Sequence, residues 1–323
     1  MRKPRILVVG SCCTDFTFAG KIIPGEGSTV LGETFSTAPG GKGANQAYQA
    51  AMLGADVTFV SKLGKDSFGR ELNGVLQNAG IDTSKMLYNP DVATACACIM
   101  LELTEAGAKN RIMVIPGAQM TFTEDDVAFL KEEVKNYDLL ILQLEINMEI
   151  NELVAGYAHA AGVPVMLNPA PSAPLSDALL SSITYLTPNA HEARDLTGVT
   201  INSLDDARKA AQQLLDRNVK NVLITMGGEG AAFVNRDQLI HGSCVPTDVL
   251  DPTAAGDSFI GAFCVAIGAG MQAEDAMVFA NHTASITVSR KGAMPSLPNL
   301  EEVLALLEKT GAKVDTSVLD VLK

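Results

Sequence analysis

Residues 251–259 read Asp-Pro-Thr-Ala-Ala-Gly-Asp-Ser-Phe. Small residues lead into an acid, Asp257, and the acid opens an apolar segment of helical composition at 259–267. A helix start carries free backbone N–H groups that can hold an anion where negative charge develops. Asp257 stands beside them as a proton acceptor. An anion cradle with an adjacent base is what phosphoryl transfer to an alcohol requires. The run also fits an ordinary helix start with an acid near its positive end. Taken alone it leaves both readings open.

Other polar clusters bear on the choice. Gly40-Gly41-Lys42-Gly43-Ala44-Asn45 opens a helix-like segment; its glycines let backbone approach a ligand, and Lys42 adds a cation. It is not a P-loop, because Gly43 and not Ser or Thr follows the lysine. Nor is it a dinucleotide fingerprint, since it does not directly follow the first strand. A glycine-rich helix entry without a ligand is the alternative. Asp15 and Glu145 each lie just past an expected strand, where a carboxylate can accept two hydrogen bonds from a sugar, or can simply be solvated. Asn189-Ala190-His191-Glu192 follows another strand. It could hold magnesium through waters, or form a capping box with Asn189 as N-cap and Glu192 three residues on. Thr225-Met226-Gly227-Gly228-Glu229-Gly230 suits a nucleotide, or a hairpin leading into 231–234. All these groups are expected at carboxyl ends of strands or in the turns that follow.

The elements that must position them alternate. Apolar runs at 6–9, 56–61, 138–144, 163–167, 183–186 and 219–225 read as strands; 44–53, 67–79, 149–161, 204–217 and 274–288 read as helices. This order predicts an α/β fold with a doubly wound, mostly parallel sheet flanked by helices on both faces. Two segments break the rhythm, 16–38 and 93–118. The second reads as strands at 95–103 and 111–115 around a turn at 104–110. Together they predict a small inserted β-sheet, a lid over the carboxyl ends of the strands, within a single domain spanning 1–323.

Composition narrows the partners. A 323-residue chain that is 47% hydrophobic and 19% charged is expected to build a large core. Its net charge of −13 disfavours nucleic acid and anionic membranes. Any phosphate site must therefore be built locally. No run approaches the ~20 apolar residues of a membrane span. The apolar run at 6–9 is shorter than a signal-peptide core, so a cytoplasmic protein is expected. Six cysteines make no disulfide framework and have no zinc-site spacing.

The residues 40–45 and 251–259, with Gly64-Lys65-Asp66-Ser67-Phe68-Gly69, Leu142-Gln143-Leu144-Glu145, Asn168-Pro169-Ala170-Pro171 and Arg290-Lys291-Gly292-Ala293, carry a resemblance. Over nearly its whole length the chain resembles the ribokinase-like (PfkB-type) carbohydrate kinases, and among them the ribokinase branch. The resemblance implies transfer of the ATP γ-phosphoryl group to the 5-hydroxyl of D-ribose, with Asp257 as base and the backbone of Ala254, Ala255 and Gly256 as anion hole. It implies a sugar site of Cys13, Thr14, Asp15, Gly41, Lys42, Gly43, Ala44, Asn45, Glu145 and Asp257. The implied ATP site comprises Asn189, Thr225, Met226, Gly227, Gly228, Glu229, Gly230, Gly256, Asp257 and Asn281, with Glu192 organising magnesium. A potassium site follows by position at Asp251, Thr253, Thr287, Arg290, Gly292 and Ser296, mostly through carbonyls. In this family two lids clasp to form a homodimer. Cys13 departs from the pattern, since many members carry Asn there against the sugar; a thiol cannot supply an amide's paired donor and acceptor. Deoxyribose or a nucleoside is the alternative substrate. Pro252 and Ala254 also depart, from Thr and Gly respectively.

Overall fold

The computed structural model describes residues 2–104 and 107–323. In chain order the strands are β1 (Arg5–Val9), β2 (Cys13–Gly20), β3 (Thr34–Gly40), β4 (Asp56–Val60), β5 (Lys62–Gly64), β6 (Leu87–Asn89), β7 (Ala95–Thr104), β8 (Gly107–Ile115), β9 (Leu139–Gln143), β10 (Val165–Asn168), β11 (Tyr185–Leu186), β12 (Asn221–Thr225), β13 (Ala231–Val234) and β14 (Leu239–Gly242). The helices are α1 (Lys42–Met52), α2 (Ser67–Asn78), α3 (Glu124–Val127), α4 (Leu130–Glu133), α5 (Met148–Ala160), α6 (Asp177–Ser182), α7 (Ala190–Thr197), α8 (Leu204–Asp216), α9 (Ala255–Gly268), α10 (Ala273–Val288) and α11 (Leu300–Thr310).

Eight strands form the main sheet in the order β14-β13-β12-β11-β10-β9-β1-β4. The pairs from β4 to β12 are parallel; β13 and β14 are antiparallel additions at one edge. Both faces are buried, which is why the central strands read as unbroken apolar runs. Ile6 and Val8 of β1 point into one core, against α1, α9 and α10. Leu7 and Val9 point into the other, against α5, α6 and α8. The expected doubly wound sheet is therefore observed.

The small sheet expected as a lid is a separate four-stranded sheet, β3-β2-β7-β8, in which β2 pairs antiparallel with β3 and parallel with β7. It is wider than its sequence signal. β2 starts at Cys13 and β3 runs to Gly40, so Asp15 lies within a strand and not in a loop. The Gly and Pro content of 16–38 hides this, because such residues are depleted in strands and weaken the pattern. The hairpin of β7 and β8 is longer than expected, reaching Thr104 and resuming at Gly107; Glu105 and Ala106, within the expected turn, lie outside the described residues.

Two placements differ from expectation. The cluster 40–45 follows β3, a lid strand, and not a strand of the main sheet; it reaches the sheet edge because the Ala44 N–H donates to Ser11 O just past β1. The run 251–259 follows a connection from β14 and not a strand end.

Candidate active site

α9 begins at Ala255, earlier than its apolar stretch, so Asp257 falls in the first turn. Ala254 is its N-cap, with φ 60°, and no side chain caps the helix. The Ala255 N–H donates to Pro252 O at 3.3 Å, and with no side-chain cap the N–H groups of Gly256 and Asp257 are the ones left to a ligand. A Cβ built on Gly256 would meet nothing within 4 Å, so the space over this turn is open. This is a cradle that phosphate oxygens could fill.

Asp257 is buried beneath it. Its Oδ2 accepts from Asn45 Nδ2 at 2.9 Å and its Oδ1 from Gln46 Nε2 at 2.9 Å. Burial pushes the carboxyl above the usual carboxylate range; Lys42 and the two amides oppose that rise. Lys42 is itself disfavoured as a cation by burial, but the charges of Asp257, Glu145 and Glu192 prevail and raise its pKa. Asn45 Oδ1 is buried and has no protein partner among the described residues. A buried acceptor left open beside a base is a place for a ligand hydroxyl.

α1 links the base to the lid side. Glu145 Oε2 accepts from the Lys42 N–H at 3.0 Å and from the Ser11 hydroxyl, and Ser11 Oγ accepts from the Gly43 N–H. Cys13 and Asp15 share one face of β2, and the Cys13 thiol donates to Asp15 Oδ1 at 3.5 Å. Burial raises the pKa of both. Strand alternation puts Thr14 on the opposite face, so only its backbone can join Asp15 in a site. Gly43 and Ala44 tie α1 to Ser11.

Lys42, Asn168, Thr187, Asn189, Glu192, Thr225, Pro252, Ala254, Ala255, Gly256 and Asp257 line one cleft of about 210 Å³. Asn189 and Glu192 form the capping box that the sequence allowed: Asn189 Oδ1 accepts from the N–H groups of His191 and Glu192, and Glu192 accepts from the Asn189 N–H and side-chain amide. They cap and line the cleft at once, so the two readings are compatible. Burial raises the Glu192 pKa, partly offset by the Asn189 N–H and Lys42. Thr225 reaches the cleft by a bridge to Asn189. The following residues make a tight hairpin, with the Met226 N–H on Gly230 O. Met226–Gly230 and Asn281 lie outside the cleft lining; Asn281 donates to Gly242 O on β14.

Behind α9, Asp251 accepts from the Thr253 N–H and hydroxyl and from the Gly292 N–H, while Val288 O accepts from the N–H groups of Leu250 and Asp251. Burial opposes its charge, yet these donors and Lys291 hold its pKa below the usual range. The side chains of Thr287, Arg290 and Ser296 turn elsewhere, to Thr283 O, Glu302 and Ala293 O. Carbonyls remain as their contribution. Among the described residues no group of three or more His, Cys, Asp or Glu side chains could hold a metal ion. Glu192 alone suits a magnesium that keeps most of its waters.

Sequence reading gave Gln46 no role and named Gln143 and Asn168 only within motifs, not as parts of the site. Gln46 is fully buried and donates to both Asp257 and Asn168, and Gln143 Nε2 donates to Gln46 Oε1 at 2.7 Å. A signal exists: Lys42, Asn45, Gln46 and Gln49 make a polar stripe along α1, though its packing against α9 would call for apolar residues.

A buried carboxylate under a helix start, at the mouth of a doubly wound sheet, is an arrangement that phosphoryl transfer could use. Comparison with known proteins agrees. The family model of the pfkB family carbohydrate kinases matches residues 3–300, and the chain belongs to that family. A Haemophilus influenzae ribokinase is 38% identical over 95% of this chain and 99% of its own length. A Salmonella typhi deoxyribokinase is 33% identical over 92% of this chain and 96% of its own. The structure of an Arabidopsis thaliana ribokinase complexed with ribose and ATP superposes with a TM-score of 0.88 at 34% identity, covering 95% of this chain and 99% of that one.

Proposed function

We propose that this sugar kinase is an ATP-dependent ribokinase, forming ribose 5-phosphate by transfer of the γ-phosphoryl group to the 5-hydroxyl of D-ribose. The observation that carries the reading is Asp257, fixed beneath the open start of α9 and beside the unpaired Asn45 Oδ1. Asp257 takes the hydroxyl proton as the oxygen attacks phosphorus and ADP leaves, and the backbone N–H groups of Ala254, Ala255 and Gly256, of which that of Ala255 also donates to Pro252 O, hold the phosphoryl oxygens. The ammonium of Lys42 offsets the charge gathered in the cleft. Asp15, Asn45, Glu145 and the backbone around Gly41 hold the sugar hydroxyls. ATP lies along Asn189, Thr225 and the 226–230 hairpin. Magnesium, when bound near Glu192, supplies neutralisation of phosphate charge. Asp251 and the carbonyls of Thr253, Thr287, Arg290, Gly292 and Ser296 would hold a potassium ion, which would supply positive charge to the loop before α9.

A second reading follows from Cys13. Its single proton is directed at Asp15, so it offers a sugar 2-hydroxyl no donor of its own. Loss of that hydroxyl therefore costs little, and deoxyribose is the competing substrate. Steady-state rates with ribose, deoxyribose, fructose 6-phosphate, adenosine and uridine test both. Ribose is expected to give the highest kcat/KM, with deoxyribose next. The substitution Cys13→Asn is expected to widen the ribose preference by about tenfold, the value of one buried polar contact. A nucleoside as best substrate removes the ribokinase reading. Run in potassium and then sodium, the ribose assay is expected to differ severalfold; equal rates would count against the Asp251 site.

The free thiols of all six cysteines suit a reducing, cytoplasmic location. One face of the lid exposes Phe18, Phe35 and Met113 and the other Ile112 and Val114, apolar surface suited to a second copy. Sedimentation as a single chain would exclude this homodimer.

A further inference from the structure

Asn45 and Gln46 both touch Asp257, yet they stand in different environments. Asn45 keeps a buried oxygen without a protein partner, so it has a hydrogen bond to offer a ligand. Gln46 has none. Its Nε2 is shared between Asp257 Oδ1 and Asn168 Oδ1, its Oε1 accepts from Gln143 Nε2, and it has no solvent exposure. Asn168 is anchored in turn by donation to Thr187 O, and the Gln143 carbonyl accepts from Asn151 Nδ2. The chain Asn151–Gln143–Gln46–Asp257 thus runs from α5 through β9 and α1 to the first turn of α9.

Chemistry selects the amide orientation. An ionised carboxylate only accepts, so the Gln46 nitrogen must face Asp257 and its oxygen must face Gln143. Packing enforces closeness as well. A Cβ on Gly261 would lie 2.9 Å from Gln49 Cβ and 3.0 Å from Gln46 O, so this glycine lets α9 press against α1 at the level of Gln46.

We infer that Gln46 is a positioning residue for the base: it holds Asp257 Oδ1 from the protein side through substrate binding and turnover, while Asn45 turns its free oxygen to the sugar. The inference rests on Asp257 being the base. The Gln46 bond favours the ionised carboxylate, so its loss raises the Asp257 pKa. The other charged groups facing Asp257 are Lys42 on α1, Glu145 after β9 and Glu192 on α7. All three remain in a Gln46 variant.

The test compares Gln46→Met with wild type in kcat, sugar KM, the pH profile of kcat, and a ¹³C titration of the Asp257 carboxyl, assigned by its disappearance in Asp257→Asn. The expected result is a kcat lower by roughly tenfold or more, the value of a hydrogen bond to a charged group. Sugar KM is expected to stay within about threefold. The acidic limb and the carboxyl titration should both move to higher pH. Gln46→Glu offers a donor only while protonated, so its activity relative to wild type should be greatest at the acidic end. If Gln46→Met fails to fold, Gln143→Met is expected to shift the titration the same way by a smaller amount. An unmoved titration with an unmoved limb overturns the inference, whether or not kcat falls, as does a raised sugar KM with unchanged kcat. The carboxyl titration needs no turnover, so it stands apart from the substrate panel: an inert panel with a shifted titration defeats the ribokinase reading and leaves the positioning of Asp257 by Gln46 intact.

Discussion

Asp257→Asn is expected to lower kcat by about 10²–10⁴-fold while leaving ATP and sugar binding within a few-fold. The replacement keeps shape and volume but cannot take up a proton. What remains is the open start of α9, which still holds the phosphoryl group. The wild-type enzyme carries a second signature of the same group. Burial raises the Asp257 pKa despite Lys42, Asn45 and Gln46. A base works only when ionised, so activity is lost as pH falls through that raised value. The acidic limb of the kcat profile should thus lie above the ordinary carboxylate range and vanish in Asp257→Asn. Turnover near the wild-type rate in the variant would show that the proton leaves by another route.

Gly41→Ala is expected to lower kcat/KM by at least about 10²-fold and to destabilise the fold by about 2–4 kcal/mol. Gly41 is the N-cap of α1 with φ 94° and ψ 132°, a region that side chains rarely enter. A Cβ there would lie 2.9 Å from Cys12 Cα and 3.0 Å from both Cys13 N and Ser11 O. All three are backbone atoms, so none can swing aside. Relief must come from moving the start of α1, and with it Lys42, Asn45 and Gln46. Gly156→Ala is the control: it lies inside α5, its Cβ would meet nothing within 4 Å, and it should gain roughly 0.5–1 kcal/mol. Thermal melts and ribose kinetics on both variants check the pair. Wild-type kinetics in Gly41→Ala would remove the entry of α1 from the sugar site.

The readable parts of this molecule are those with local causes. The apolar runs of β1, β4 and β9 identify themselves because both faces of a parallel strand are buried. α8 shows its periodicity and starts at Ser203, whose hydroxyl accepts from the Asp206 N–H. The lid was half legible. Phe16 and Phe18 lie on one face of β2 and Asp15 on the other, but Gly and Pro in 16–40 obscure the strand pattern. The short helices α3 and α4 escaped because four residues carry too little periodicity.

By itself the sequence determined the main sheet, the helix that opens beside Asp257 and the family. Each of these is written in neighbouring residues, where spacing and composition act directly. Tertiary structure decided what the polar residues do. Gln46 and Asp257 are 211 positions apart, Ser11 and Glu145 134, and Asn45 and Asp257 212. A glutamine in a helix reads the same whether it faces water or a buried carboxylate. Only the packing of α1 on α9 excludes water there, and that exclusion gives one amide its hold on the base.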